Sequence, residues 1–193
     1  WSYPGRPVPP PGGTAEKVFV TINGVPQGLI ITSRDAGHPV LLYLHGGMPD
    51  YFLARRHHAR LEDDFTVCWW EQRGSGLSYR PGDPQPTLDQ LIADTLAVTE
   101  YLRRRFGTDR IYLMGHSGGT YLGMLAVARA PELYRAYIGV AQMANQRRSE
   151  ERVYRYMREQ YAAQGDARML ARLAAAPVLS EAYYRLRDRA MHR

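Results

Sequence analysis

Cysteine occurs once in 193 residues, at Cys68, so an internal disulfide and a cysteine-built zinc site are both excluded. Cys68 lies in an apolar run, the setting of a small buried thiol. No apolar stretch approaches the ~18 residues of a membrane span, and the first residues lack the basic-then-apolar pattern of a secretory leader. These absences constrain localisation poorly; the cytoplasm is the expected compartment, and no transmembrane segment is expected. The chain begins with Trp1 and not with methionine, so a processed or partial chain is expected. A phosphate-cradling G-x-x-x-x-G-K-[ST] and a cluster with metal-ligand spacing are also missing, so no cofactor and no metal are expected. Nor is there a basic block. The net charge is +6, and residues 147–193 hold eleven arginines against six acids. Those arginines alternate with glutamates and tyrosines at helical spacing, which describes solvated helix faces better than a nucleic-acid site.

Hydrophobic residues make up 45% and charged residues 23%, ordinary values for a globular chain with a sizeable core. Residues 1–16 are rich in proline and glycine and read as an extended arm. Lys17–Asn23 alternates like a strand, Gly24–Gly28 supplies turn residues, and Leu29–Ser33 reads as the second arm of an antiparallel hairpin. Val40–Leu44 and Phe65–Glu71 are unbroken apolar runs, the pattern of strands buried on both faces. Tyr51–Leu61 can form a helix. Thr87-x-x-Gln90 is a capping box opening an amphipathic helix that ends at Gly107. Strands alternating with helices imply βαβ units and an α/β fold, a mostly parallel sheet flanked by helices over residues 17–144. From residue 145 the pattern is helical only, over Glu150–Tyr161, Asp166–Ala175 and Ser180–Arg193. That is the expected form of a helical cap or lid, apparently truncated.

The most informative stretch is Ile111–Met124, where a β-rich run enters Gly115-His116-Ser117-Gly118-Gly119 and then continues at helical spacing. A G-x-S-x-G pentapeptide between strand and helix is the context of a nucleophile elbow. The bend strains the serine backbone, and small neighbours let strand and helix pass closely. Ser117 is accordingly the candidate nucleophile. The backbone N–H of Gly118, at a helix N-terminus, is placed to face a developing oxyanion.

Taken together, His45-Gly46-Gly47, the W-x-x-R-G-x-G-x-S run from Trp70 to Ser78, and the GHSGG elbow resemble the α/β-hydrolase superfamily. Within it they are most similar to the proline iminopeptidase-like branch. The resemblance implies a serine hydrolase acting on a small ester, amide or short peptide substrate through an acyl-enzyme, as an esterase or an aminopeptidase. It implies an oxyanion hole of the Gly47 and Gly118 N–H groups, with Gly46 shaping the loop and His116 packing in support. Where the family's loop reads HGGPG, this chain has HGG followed by Met48-Pro49-Asp50. The family places its acid and histidine after the lid, so both are expected beyond residue 193, on a continuation or a second chain.

None of the histidines combines a place beside Ser117 with a partnering carboxylate. His45 is expected to brace the oxyanion loop, His57 and His58 lie among arginines, and His192 ends a lid helix. Arg73 is expected to tie its own loop, with Glu71 as partner. Trp69 and Trp70 read as sheet core, and the tyrosines from Tyr154 to Tyr184 as lid packing or pocket lining. Two rival readings are a non-catalytic ligand-binding or interaction module on the same scaffold, and an arginine-rich lid that docks an acidic protein or membrane surface.

Overall fold

A computed structural model of the chain describes residues 7, 9–51 and 60–191. The expected helix over Tyr51–Leu61, with His57 and His58, lies outside the described residues apart from its ends, as do most of the first eight residues and His192. Two compact units are present, Trp1–Met143 and Ala144–Arg193.

The first unit is built on a six-stranded mixed sheet: β1 (Thr14–Ile22), β2 (Val25–Ser33), β3 (Val40–Leu44), β4 (Thr66–Trp70), β5 (Ile111–His116) and β6 (Tyr134–Val140). Its order is β1-β2-β4-β3-β5-β6. The β1–β2 and β2–β4 pairings are antiparallel, and the β3–β4, β3–β5 and β5–β6 pairings are parallel. The hairpin turn is tighter than its sequence suggests. Asn23 (φ 46°) and Gly24 (φ 79°) form the whole connection, and β2 already begins at Val25. Two successive positive φ angles match the twist of the flanking strands, which is why Asn-Gly prevails over the later Pro26 and Gly28. Pro26 is tolerated because β2 pairs with β4 only over Leu29–Thr32.

Alternation along the strands sorts the two faces of the sheet. Leu42, Leu44, Cys68, Trp70, Ile111 and Leu113 share one core with helix α1 (Leu88–Phe106) and helix α2 (Gly118–Arg129). Leu41, Val67 and Trp69 point to the opposite face and pack with Ile30, Tyr51, Leu61, Phe65 and Leu77. Helix α1 opens with both hydrogen bonds of the Thr87–Gln90 capping box and closes on Gly107 in the left-handed conformation, as its sequence predicts.

The second unit is three helices, α3 (Gln146–Ala163), α4 (Ala167–Ala174) and α5 (Glu181–Met191). Asn145 caps α3 and Asp166 caps α4, each accepting a backbone N–H through its side chain. The α3 helix therefore starts four residues before the point the apolar pattern suggests, because its first turn is polar. Met157, Tyr161, Met169, Leu173, Tyr183 and Leu186 form a separate core. Tyr161 and Tyr183 are packing residues, whereas Tyr156 is 54% exposed. No helix among the described residues is long and apolar enough to cross a membrane.

Candidate active site

The centre of the first unit is the junction of β5 and α2. Ser117 is the only residue between them, at φ 51° and ψ −119°. A residue with a Cβ in such a conformation costs roughly 1–3 kcal/mol and needs surroundings that over-determine it. Here they do. The Ser117 N–H donates to the Val140 carbonyl on β6 (2.9 Å), and Thr120 donates to the Ser117 carbonyl through both N–H (3.0 Å) and Oγ1 (2.5 Å). Thr120 Oγ1 in turn accepts the Met143 N–H at 2.8 Å. The flanking glycines are required by contact. A Cβ on Gly115 would lie 2.6 Å from the Gly119 carbonyl oxygen, and one on Gly119 would collide with the Leu44 and His45 carbonyls. The serine side chain is half-buried, and the Gly118 N–H, first in its helix, has no intrahelical acceptor.

Beside the elbow runs the loop that leaves β3. Gly46 faces Ser117 so closely that a Cβ there would sit 2.9 Å from the serine Cβ and 3.4 Å from the Gly118 nitrogen. Gly47 follows, exposed and with open space around it. Gly46 and Gly118 thus lie together against the serine.

His45 is 4% exposed. Its Nε2 accepts the Gln72 backbone N–H (3.2 Å), and its Nδ1 lies 2.9 Å from the Gly46 carbonyl. A backbone N–H can only donate, so Nε2 is unprotonated, and Nδ1–H donates to Gly46. Ser75 Oγ approaches the same Nε2 at 3.0 Å, and the Gln72 amide returns a bond to the His45 carbonyl at 2.9 Å. Burial lowers the His45 pKa and keeps the ring neutral. It is a brace between two motif loops, as the sequence suggests.

Arg73 departs from expectation. Its partner is Asp94 on α1, not Glu71, with Nε and Nη2 at 2.7 and 2.9 Å from the two carboxylate oxygens. The fully buried Asp94 also accepts from Asn23 (2.8 Å) and Gln27 (2.7 Å), and Gln27 accepts the Trp70 indole N–H at 2.9 Å. This network ties the loop after β4 to the hairpin and to α1. Its only local signal was an acid beside Ile92 and Thr95, on the apolar face of a helix. Glu71 instead accepts the Leu77 N–H, while its other carboxyl oxygen is buried without a protein partner. Burial pushes the Glu71 pKa up to about 7.

His116 has a carboxylate partner that the sequence did not reveal. Its Nδ1 lies 2.8 Å from Asp50 Oδ2, which also accepts the Tyr43 hydroxyl at 3.0 Å. Asp50 sits 66 positions away in a loop without a regular pattern, so no local signal could have found it. His116 follows Tyr112 and Met114 on their face of β5. Among the described residues, no histidine hydrogen-bonds the Ser117 hydroxyl.

Comparison with known proteins matches residues 38–188 to one family, described as serine aminopeptidase, S33. The chain belongs to that family. Over 144 residues it is 38% identical to a probable aminopeptidase, YbaC, of Bacillus subtilis (strain 168), covering 72% of this chain and 45% of that protein. It is 32% identical over 126 residues to a proline iminopeptidase of Thermoplasma volcanium, covering 64% and 40%. Among solved structures, a proline iminopeptidase-related protein from Thermus thermophilus superposes with a TM-score of 0.60 at 28% identity, covering 74% of this chain and 50% of that one. The chain therefore spans about half, or less, of the length of these relatives. The fold is that of the α/β-hydrolases, and the relatives are hydrolases.

Proposed function

We propose that the protein is a serine hydrolase of ester or amide bonds, an esterase or proline iminopeptidase-like aminopeptidase, working through an acyl-enzyme. Ser117 is the nucleophile. It attacks the substrate carbonyl, and the Gly47 and Gly118 N–H groups hold the resulting oxyanion while the leaving group departs. Water then releases the acyl group. The observation that carries this reading is the Ser117 backbone at φ 51° and ψ −119° between strand and helix, with the Gly46 loop against it. Strain of that kind is kept where a side chain must be presented in one direction.

A serine hydroxyl reacts only when a base within ~2.6–3.2 Å takes its proton. We assign that base and its acid partner to polypeptide outside these 193 residues, a reading supported by the 45% coverage of the Bacillus relative. Residues 145–193 are assigned as the cap that shapes specificity, and residues 17–144 as the core. The test is hydrolysis of para-nitrophenyl acetate and proline para-nitroanilide by the full-length protein. Turnover is expected to fall by roughly 10⁴–10⁶ in Ser117→Ala. A variant as active as wild type would refute the assignment, and ligand binding without turnover in the wild type would favour a non-catalytic binding module.

A further inference from the structure

We infer that Asp50 is a positioning residue for the oxyanion hole, holding the Gly47 N–H beside Ser117 through its bonds to Tyr43 and His116. The inference rests on the serine-hydrolase reading and adds to it a residue outside every recognised motif.

The loop is fixed at its start and left free further on. On leaving β3 at Leu44, the chain is pinned at His45 by Gln72 and Ser75 and touches the elbow through Gly46. Beyond that point Gly47 and Met48 are exposed, and contact resumes at Pro49, which lies against Gly76. A Cβ on Gly47 would meet nothing within 4 Å, and Met48 is 56% exposed. A glycine without neighbours has the widest conformational freedom of any residue. The direction of its N–H must therefore be set by the next anchored position downstream.

Pro49 contributes only a packing contact against Gly76, and the first side chain downstream that hydrogen bonds hold is Asp50. Its side chain is 11% exposed, and one oxygen receives both the Tyr43 hydroxyl and His116 Nδ1. Both partners come from the framework that the hole depends on. Tyr43 lies near the end of β3, the strand that feeds the loop. His116 ends β5 and immediately precedes Ser117. The loop is thus closed at both ends by hydrogen bonds, and its far clamp runs directly to the residue before the nucleophile. Bonds to an ionised carboxylate are roughly twice as strong as neutral ones. Burial and the neighbouring Asp50 charge raise the Tyr43 pKa, so its phenol stays protonated and remains a donor.

The placement has a kinetic signature. A donor that acts on the developing oxyanion contributes in the transition state and not in the ground state. Loosening it lowers kcat and leaves KM nearly unchanged. In the full-length protein, Asp50→Ala and His116→Leu are expected to lower kcat roughly 10- to 100-fold, with KM within about 2-fold. His116→Asn puts an amide N–H where Nδ1–H was, and is expected to restore most of the rate. Thermal melting of each variant separates this from a loss of folded protein.

Several outcomes would overturn the inference. Asp50→Ala could lower the melting temperature with kcat unchanged, the mark of a purely structural residue. It could raise KM alone, the mark of a substrate contact. Or His116→Asn could be as inactive as His116→Leu and lose the acid limb of the pH profile, which would make His116 the general base. A wild-type protein without Ser117-dependent turnover would overturn the underlying reading and this one with it. Ser117-dependent turnover that is insensitive to Asp50→Ala would overturn this one alone.

Discussion

The two units of the molecule bury ion pairs for different ends. In the sheet unit, Asp94 and Arg73 join a loop, a hairpin and a helix that are far apart in sequence, and 1% of the Asp94 side chain is exposed. In the helical unit, Glu150 on α3 accepts from Arg187 Nη1 (2.5 Å), from Tyr183 on α5 (2.9 Å) and from Gln146 (2.5 Å). Those partners lie on the two helices that the pair fastens together. Arg187 is 28% exposed and also bonds Asp188, whereas Arg73 is 16% exposed and faces Asp94 with both guanidinium nitrogens. The first network fixes the loop after β4 against the hairpin and α1, and the second fixes the packing of a small helical bundle. A buried charge that loses its partner is costly in proportion to how little water can replace it. The two networks should therefore respond unequally to the same kind of substitution.

The largest effect is expected in Asp94→Ala, which strands Arg73 and two amide donors. It should cost about 3–5 kcal/mol in denaturant unfolding. Equal losses for Asp94→Ala and Glu150→Ala would erase the distinction drawn here. Gly119→Ala comes next. Its Cβ would drive into the Leu44 and His45 carbonyls, so a loss of about 2–3 kcal/mol is expected. Replacing a helical glycine by alanine does not ordinarily cost stability, so a neutral or positive result would show that the elbow is not close-packed. Glu150→Ala should cost less, about 1–3 kcal/mol, because Arg187 keeps Asp188 and access to water.

The smallest effect concerns pH. Burial raises the Glu71 pKa from its ordinary value near 4.5 to about 7. The folded state therefore holds a proton that the unfolded state releases first. Stability contributed by this group is full below about 4.5 and is lost as pH rises to about 7. Glu71→Gln should flatten that part of the stability-against-pH curve relative to wild type. An unchanged slope would mean that Glu71 ionises normally.

What could be read from the sequence was local. The capping box at Thr87, the stop at Gly107, the unbroken run of β3 and the G-x-S-x-G turn each depend on a few neighbouring residues, and the fold class followed from their order. Gly46, Gly115 and Gly119 are legible for the same reason, since close backbone approach leaves a glycine behind. The bonds that locate the loops were not legible. Asp94 with Arg73 and Asp50 with His116 are separated by 21 and 66 positions, and such pairing leaves no periodicity. The His45 brace lay between, because a histidine ahead of two glycines at a strand end has few places to go, although Gln72 and Ser75 could not be named as its partners. Glu71 was misassigned for a simple physical reason. An acid two residues from an arginine suggests a pair, but the tight turn folds it back onto the Leu77 N–H.

The proposed chemistry stands or falls on the Ser117 hydroxyl as the reacting group. The most direct measurement treats the full-length protein with a fluorophosphonate and locates the adduct by peptide mass spectrometry. One phosphonylated residue is expected, Ser117, with loss of ester turnover in step with labelling. Turnover that persists with Ser117 unmodified, or an adduct on a different residue that tracks inactivation, would contradict it.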